Sequence, residues 1–552
     1  QQQMSMGTNG GLIAHNQYFI TNSVNTPSYS GTISGKKRMF SVAAQVGASW
    51  KDQLFVDVTG RNDWSSALVY ADGHGKYSYF YPSVSGSWII TNSFRNQLPK
   101  WISFAKLRAS WAQVGNDTDP YIINTAYILN SGLINGNRVG ATELSETIYD
   151  KNLKPERKNS WEVGLDWRFL DNRIGIDATY YKENTKDQIM KISVPSVSGV
   201  KNQYVNAGNI QNAGVEIALH AVPVQTKDWN WDVNLTYTKN KSKIISLHEN
   251  VADYIPLSGD VAYGNFRIGS VAKVGGEYGL LLSDSETKVD KVSGMKVLDF
   301  DTDTKSSHWY RSGEVKEVGS INPDFLTSFS TSLRYKSLQL SVSLDARFGG
   351  YVASYGGRYG TGKGLTKSSL DYRDAAHGGA NYTSRWDGKT YNDGVIPTGI
   401  FMAGTKIDQP DGSYYTVGTG AYSSGETFEE LMKKGVIEPA HASSWAFINN
   451  TWINAASYPT QGVVTDATLH KLNYIALREI SLSYTAPQSW ASKIGARNLM
   501  FTATGHNLGY LLNSLPNKEN PESVRGTSAH EFRIRNFDGV TANFTFTINA
   551  TF

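Results

Sequence analysis

Three aspartates, Asp299, Asp301 and Asp303, alternate in the run Asp-Phe-Asp-Thr-Asp. In an extended chain, side chains two apart share a side, so three carboxylates could gather round a Ca²⁺ ion, the one cofactor the sequence suggests. The EF-hand loop also needs Gly at its sixth position and Glu at its twelfth; counted from Asp299, those places hold Thr304 and Tyr310. The competing reading is a solvated acidic loop. Gly360, Gly362, Lys363 and Gly364 cluster within 358–364, but they lack the phosphate-loop spacing, and no helix is expected to follow. There is no His-Glu-x-x-His and no nucleophile elbow. The ten histidines are scattered and cysteine is absent. These absences argue against an enzyme site, a Cys-based metal site and disulfides.

The other residues with binding chemistry are aromatic. Tyr351, Tyr355, Tyr359, Tyr372, Trp386, Tyr414, Tyr415, Trp445 and Trp452 fall within 350–469, mixed with Asn, Asp and Gly. Trp309 and Tyr310 stand in the stretch before it. Flat rings with polar neighbours can stack on sugar rings or grip peptides. Ligand contacts are therefore expected from Trp309, Tyr310, Tyr359, Trp386, Tyr414, Tyr415 and Trp445. For any single ring, the simpler role is packing within the loop itself.

The elements that would carry such loops are strands. In 161–169, Trp161, Val163, Leu165, Trp167 and Phe169 alternate with Glu162, Gly164, Asp166 and Arg168. After the turn Asp171-Asn172, Ile174, Ile176, Ala178 and Tyr180 alternate with Gly175, Asp177, Thr179 and Tyr181. Alternation puts one apolar and one polar face on each strand, and two residues between them make a hairpin. The same pattern recurs at 42–50, 53–63, 77–90, 102–114, 215–222, 229–240, 329–335, 338–348, 474–484, 498–504 and 540–552. The count is about 14 strands, with 244–324 left unassigned. Ile475 and Leu477 share one parity, and Ile480, Leu482 and Tyr484 the other; a β-bulge near Arg478-Glu479 reconciles them.

Short connections at 170–173, 223–228, 336–337 and 486–497 alternate with long ones at 116–157, 188–207, 350–469 and 511–538. In an up-and-down barrel, all short turns then lie at one end and all long loops at the other, the outer-membrane pattern. Such strands need only about 9–11 residues with every second one apolar, so negative mean hydropathy and the lack of a long apolar run leave a membrane barrel open. Trp161, Trp229, Tyr335 and Phe552 are candidates for interfacial aromatic girdles. A net charge of +4, with 18% charged residues, gives no basic field for nucleic acid. No signal peptide begins at Gln1, so the chain is expected to start after processing or within a longer polypeptide. A connection as long as 350–469 reads as a large extracellular insertion with a binding role.

Several blocks resemble SusC/RagA-type TonB-dependent transporters of Gram-negative outer membranes. They are Tyr79-Phe80-Tyr81-Pro82-Ser83-Val84-Ser85, Leu107-Arg108-Ala109-Ser110-Trp111-Ala112-Gln113-Val114-Gly115-Asn116 and Asn152-Leu153-Lys154-Pro155-Glu156. Asn206-Ala207-Gly208-Asn209-Ile210, the strand 474–484 and Asn520-Pro521-Glu522 follow in family order. The resemblance implies the C-terminal part of a barrel of about 22 strands with a plugged lumen, the plug and N-terminal strands lying outside this chain. It implies an importer of oligosaccharides or peptides, a SusD-like surface lipoprotein as lid, and TonB as energy source acting through the missing N-terminal region. A passive channel and a surface adhesin are the rivals. Because a free sheet edge cannot face hydrocarbon, the first and last strands are expected to pair with a missing segment, not with each other.

Overall fold

The computed structural model describes residues 2–14, 22–33, 36–120, 122–123, 127–134, 137–144, 146–193, 200–249, 251, 253–259, 267–450, 464–524, 530–535 and 538–552. Its framework is one 14-stranded sheet. Along its main path, in chain order, run β1 (Met39–Trp50), β2 (Leu54–Ser65), β3 (Ser78–Ile89), β4 (Ile102–Asn116), β5 (Glu156–Phe169), β6 (Ile174–Ser193) and β7 (Asn202–Gln225). It continues through β8 (Trp229–Ser246), β9 (Phe325–Tyr335), β10 (Leu338–Phe348), β11 (Tyr474–Thr485), β12 (Asn498–Asn513) and β13 (Asn543–Thr551). Every neighbouring pair is antiparallel. A short strand, Thr147–Tyr149, adds in parallel to β7.

Alternation decides which face is which. Phe546 is 83% exposed and Val46 71%, and Val56, Val58, Val163, Leu235 and Leu340 on the same face are also exposed. The apolar face is thus uncovered by protein from strand to strand around the sheet, save at the upper ends of β6 and β7, an area soluble monomers rarely leave in water. Tight turns close one end. Lys51 and Asp52, Leu170 through Asn172, and Lys336 all take positive φ there, the twist that short hairpins require. Aromatic pairs line this end: Trp101–Phe169, with ring centroids 5.6 Å apart, and Trp229–Tyr335, 4.3 Å apart.

Trp161, expected near a strand end, lies inside β5, opposite Trp111 and against Tyr180. The strand begins five residues earlier, at Glu156. Eight residues from Trp161 to Phe169 span about 27 Å along the strand, or about 20 Å of depth at a tilt near 40°. Trp161, Trp111 and Tyr180 therefore form a second aromatic row, and the strands continue above it. The stretch 188–207, expected as a long loop, is mostly ladder, β6 running to Ser193 and β7 from Asn202. Met190, Ile192, Val205 and Ala207 keep the apolar parity there and are buried against Leu247, Val251 and Ile255.

The bulge expected near 478–479 is present. Ser343 pairs with Glu479 and Leu344 with Leu477, leaving Arg478 as the extra residue. β1 and β13 are the two ends of the main path and do not pair with each other. The region 350–469, expected as a large insertion with a binding role, carries helices and short strands. Val297–Asp301 pairs in parallel with Ile400–Met402, so segments 285–312 and 350–450 share one core of Leu298, Phe300, Phe401, Phe428 and Leu431. We call this unit the lobe. Within it, Tyr355–Gly362 is helical, overlapping the glycine cluster of 358–364. Ser354 caps the Gly357 N–H, and Tyr355 and Tyr359, one turn apart, pack at 5.1 Å, offsetting the poor helix propensity of its glycines.

Candidate functional site

The polar face is built of side-chain pairs between and along strands. Arg108 reaches over Gly164 to Asp177 (2.5 and 2.9 Å) and Thr179. A Cβ at Gly164 would stand 2.6 Å from the Arg108 Nε; the polar-parity glycine makes room for the arginine. Lys158 pairs with Glu183, Arg61 with Asp63, and Tyr81 donates to Asp63. Hydroxyl pairs such as Ser481–Thr504 and Ser483–Thr502 fill the spaces between.

The bulge at Arg478 aims its guanidinium at two carboxylates. Nε donates to Asp345 at 2.8 Å, and the two terminal nitrogens to Glu522 at 2.5 and 2.9 Å. Tyr510 donates to Asn520 and Glu522, both at 2.8 Å. The Arg478 guanidinium holds the Glu522 carboxyl below the usual carboxylate range. The block Asn520-Pro521-Glu522 is thereby clamped onto the polar face of β11 and β12. The parity break was visible in the sequence; its partner in a separate loop was not.

At the long-loop end, β2 to β5 surround a cavity of about 710 Å³ lined by Tyr77, Tyr79, Tyr81, Gln113, Lys154 and Arg157, among others. Three of the motif blocks meet here, mainly for structural reasons. The Asn206 side chain brackets Lys154, accepting from its N–H and donating to its carbonyl at 2.7 Å each, and also donates to the Asp187 carbonyl. Glu156 accepts from Asn116 and from the Ile189 N–H. Leu153 is fully buried.

The aromatic candidates fall in several places. Trp309, Trp386, Tyr415 and Trp445 pack on the lobe core, Trp309 edge-on to Trp445 at 5.3 Å. Tyr415 donates to Glu426, and Lys305 lies over Trp386. Tyr310 carries Lys288 over its ring, and Tyr359 packs on Tyr355. Tyr414 is the most open of these, 56% exposed with Lys406 above it. Trp452 lies outside the described residues. Four of the seven candidates thus share one core, while Tyr310, Tyr359 and Tyr414 stand apart. Tyr382 and Tyr391, absent from the expected set, pair across a hairpin and contact His441.

The aspartates do not converge. Asp299 lies opposite His308 in the Val297–Asp301 and Ser306–Trp309 hairpin. Asp301 is buried, its Oδ1 accepting from the Asp303 and Thr304 N–H groups to form the turn, and Asp303 is exposed. Among the described residues, no three His, Cys, Asp or Glu side chains are placed to hold a metal ion. His308 is buried, and burial lowers its pKa while Asp299 and Asp301 act the other way.

Residues 3–280 match the family described as "TonB dependent receptor-like, beta-barrel". The chain is 28% identical over 346 residues to TonB-dependent receptor P26 of Formosa agariphila, covering 60% of this chain and 33% of that protein. It is 27% identical over 287 residues to TonB-dependent receptor SusC of Bacteroides thetaiotaomicron, covering 49% of this chain and 28% of that one. It thus spans a third or less of the length of these two relatives. The structure of the RagAB peptide transporter superposes with a TM-score of 0.63 at 17% identity, over 98% of this chain and 50% of that one. With its uncovered apolar face, girdled strands and one-sided loops, this SusC-like outer-membrane chain belongs to the TonB-dependent receptor β-barrel family.

Proposed function

We propose that the chain forms wall and mouth of an active outer-membrane importer of oligosaccharides. A SusD-like lipoprotein covers the long-loop end, and TonB acts through a plug outside this segment. The observation that carries this reading is the division of the wall: an uncovered apolar face, a polar face of charge and hydroxyl pairs, and a folded lobe on the long-loop side only. Such a wall binds and passes a polar solute and performs no bond chemistry. The free edges of β1 and β13 support further wall strands beyond this segment, because unpaired backbone groups in hydrocarbon cost several kcal/mol each.

The likeness to one SusC protein and the exposed Tyr414 ring favour oligosaccharides. Peptide import is the second reading, favoured by the fold likeness to a peptide transporter. The test is growth and uptake of labelled oligosaccharides and of peptides in cells with and without the gene, each with and without TonB. Loss of oligosaccharide uptake in both deletions is expected. Loss of peptide uptake alone selects the second reading; uptake that persists without TonB replaces both with a passive channel.

A further inference from the structure

Where the lobe meets the wall, the chain leaves β10 through Tyr351–Ser354 and returns through Leu469–Lys471, paired to it. Beside this junction lies a cavity of about 320 Å³, at the lower end of small-molecule pockets. Its lining comes from several separate stretches and includes Ser354, Thr361, Ser368, Asp371, Tyr372 and Trp445. We propose that this cavity is a binding subsite for a neutral saccharide, holding about two sugar rings of an oligosaccharide. The proposal deepens the importer reading and rests on it for its biological purpose; binding itself does not require transport.

The chemistry of the lining selects the class. Thr361 and Ser368 of the lining, with the buried Thr366 beside them, form a ring of hydroxyls 2.9 to 3.3 Å apart. Each hydroxyl has one proton and two lone pairs, so the ring keeps acceptors free for sugar hydroxyls. Ser354 accepts from the Gly357 N–H at 2.9 Å and donates to Glu519 at 2.6 Å. That carboxyl, behind the Ser354 side of the cavity, is 2% exposed, and its second oxygen meets no protein donor. Asp371 supplies an exposed carboxylate on the rim. Tyr372 and Trp445 supply apolar ring surface of the kind that sugar C–H faces cover.

No lysine or arginine lines the cavity. A sulfate or uronate entering it would lose water beside Asp371 without gaining a counter-charge. An extended peptide would add to a free strand edge, whereas the two lining residues on strands, Ser354 and His470, stand on strands already paired to each other, and Thr361, Ser368, Trp445 and Asn517 stand on helices. Tyr372 itself is held at φ +62°, a conformation that an aromatic residue adopts at an energetic cost. Strain of this kind is retained where a side chain must be held in place.

The full-length protein, purified in detergent, is titrated calorimetrically with maltohexaose, cellohexaose, xylohexaose and mannohexaose. Oligogalacturonate and a tryptic casein digest serve as counter-probes. At least one neutral hexasaccharide is expected to bind, and neither counter-probe. Tyr372→Gly relieves the backbone while removing the ring; it should weaken binding at least tenfold without lowering the unfolding temperature. Ser368→Trp, which fills the cavity, should abolish binding. The proposal is overturned if no neutral probe binds at millimolar concentration, if a counter-probe binds in a Ser368-dependent way, or if both variants bind as the parent does. Uptake separates this from the importer reading. TonB-dependent import with binding unaffected by both variants sinks the subsite alone; variant-sensitive binding with no uptake dependent on the gene sinks the importer alone.

Discussion

Gly208 sits at φ +84°, and a Cβ there would stand 3.1 Å from the Ser246 carbonyl and 3.4 Å from the Met190 sulfur. Gly208→Ala should therefore cost about 1–2 kcal/mol, from left-handed backbone and crowding together. Gly175→Ala, whose Cβ would meet nothing closer than 3.8 Å, should stay within about 0.5 kcal/mol of the parent. Denaturant unfolding in detergent micelles compares the two. At Arg478, the charge-assisted pair with Glu522 is partly exposed, so its worth is reduced by solvent to about 1 kcal/mol. Glu522→Gln should raise amide exchange in 514–524 about fivefold, leaving β11 and β12 protected. Unchanged exchange would mean that the clamp holds nothing. These roles were unevenly legible. The Arg478 bulge shows in sequence because a parity break is local. Glu522 shows only as part of a family block, because its partner lies 44 residues away and no periodicity connects them.

The lobe behaves as an element of its own. Its hairpin of Val297–Asp301 and Ser306–Trp309 buries His308 with neither ring nitrogen bonded to protein. Burial lowers that pKa from 6.5, against the pull of Asp299 and Asp301, so the unfolded hairpin takes up its proton first as pH falls. The stability this histidine contributes is present above about pH 6.5 and is lost below it, by up to about 1.4 kcal/mol per pH unit. Exchange of the hairpin amides, corrected for intrinsic rate, should quicken between pH 7.5 and 5.5, and His308→Phe should flatten that change. Little of the lobe was readable beforehand. Its core joins Leu298 and Phe300 to Phe401, Phe428 and Leu431, residues a hundred or more positions apart on very short strands and one six-residue helix, which leave no room for a period to establish itself. The same packing gathers Trp309, Trp386, Tyr415 and Trp445 on one core, with Trp445 also reaching the lining of the proposed subsite. A ring that closes a small core and a ring that meets a sugar have the same neighbours in sequence.

At the scale of the whole molecule, the membrane reading makes a two-sided prediction. Val163 lies on the uncovered face and Glu162 on the polar one. Val163→Arg should destabilise the protein in lipid by about 1–2 kcal/mol, the cost of a cation between the outer aromatic row and the bilayer midplane. Glu162→Arg should change it by no more than about 0.5 kcal/mol. Equal effects, read from unfolding in vesicles, would deny the lipid-facing assignment. The wall itself was legible almost throughout, because a period of two is imposed on every strand by the pleat; strand ends were less so. β6 and β7 show why. Above the second aromatic row the parity turns polar at Lys182, Asn184, Lys186 and Gln188, then turns greasy again through Met190, Ile192, Val205 and Ala207, where its cover is the segment carrying Leu247, Val251 and Ile255. The greasy rhythm of the chain is thus no depth gauge by itself. It returns on the water side of the shoreline, wherever something leans against it. A loop that peeled away there would bare a sticky two-stranded fin above the cell surface, with the ladder beneath it intact.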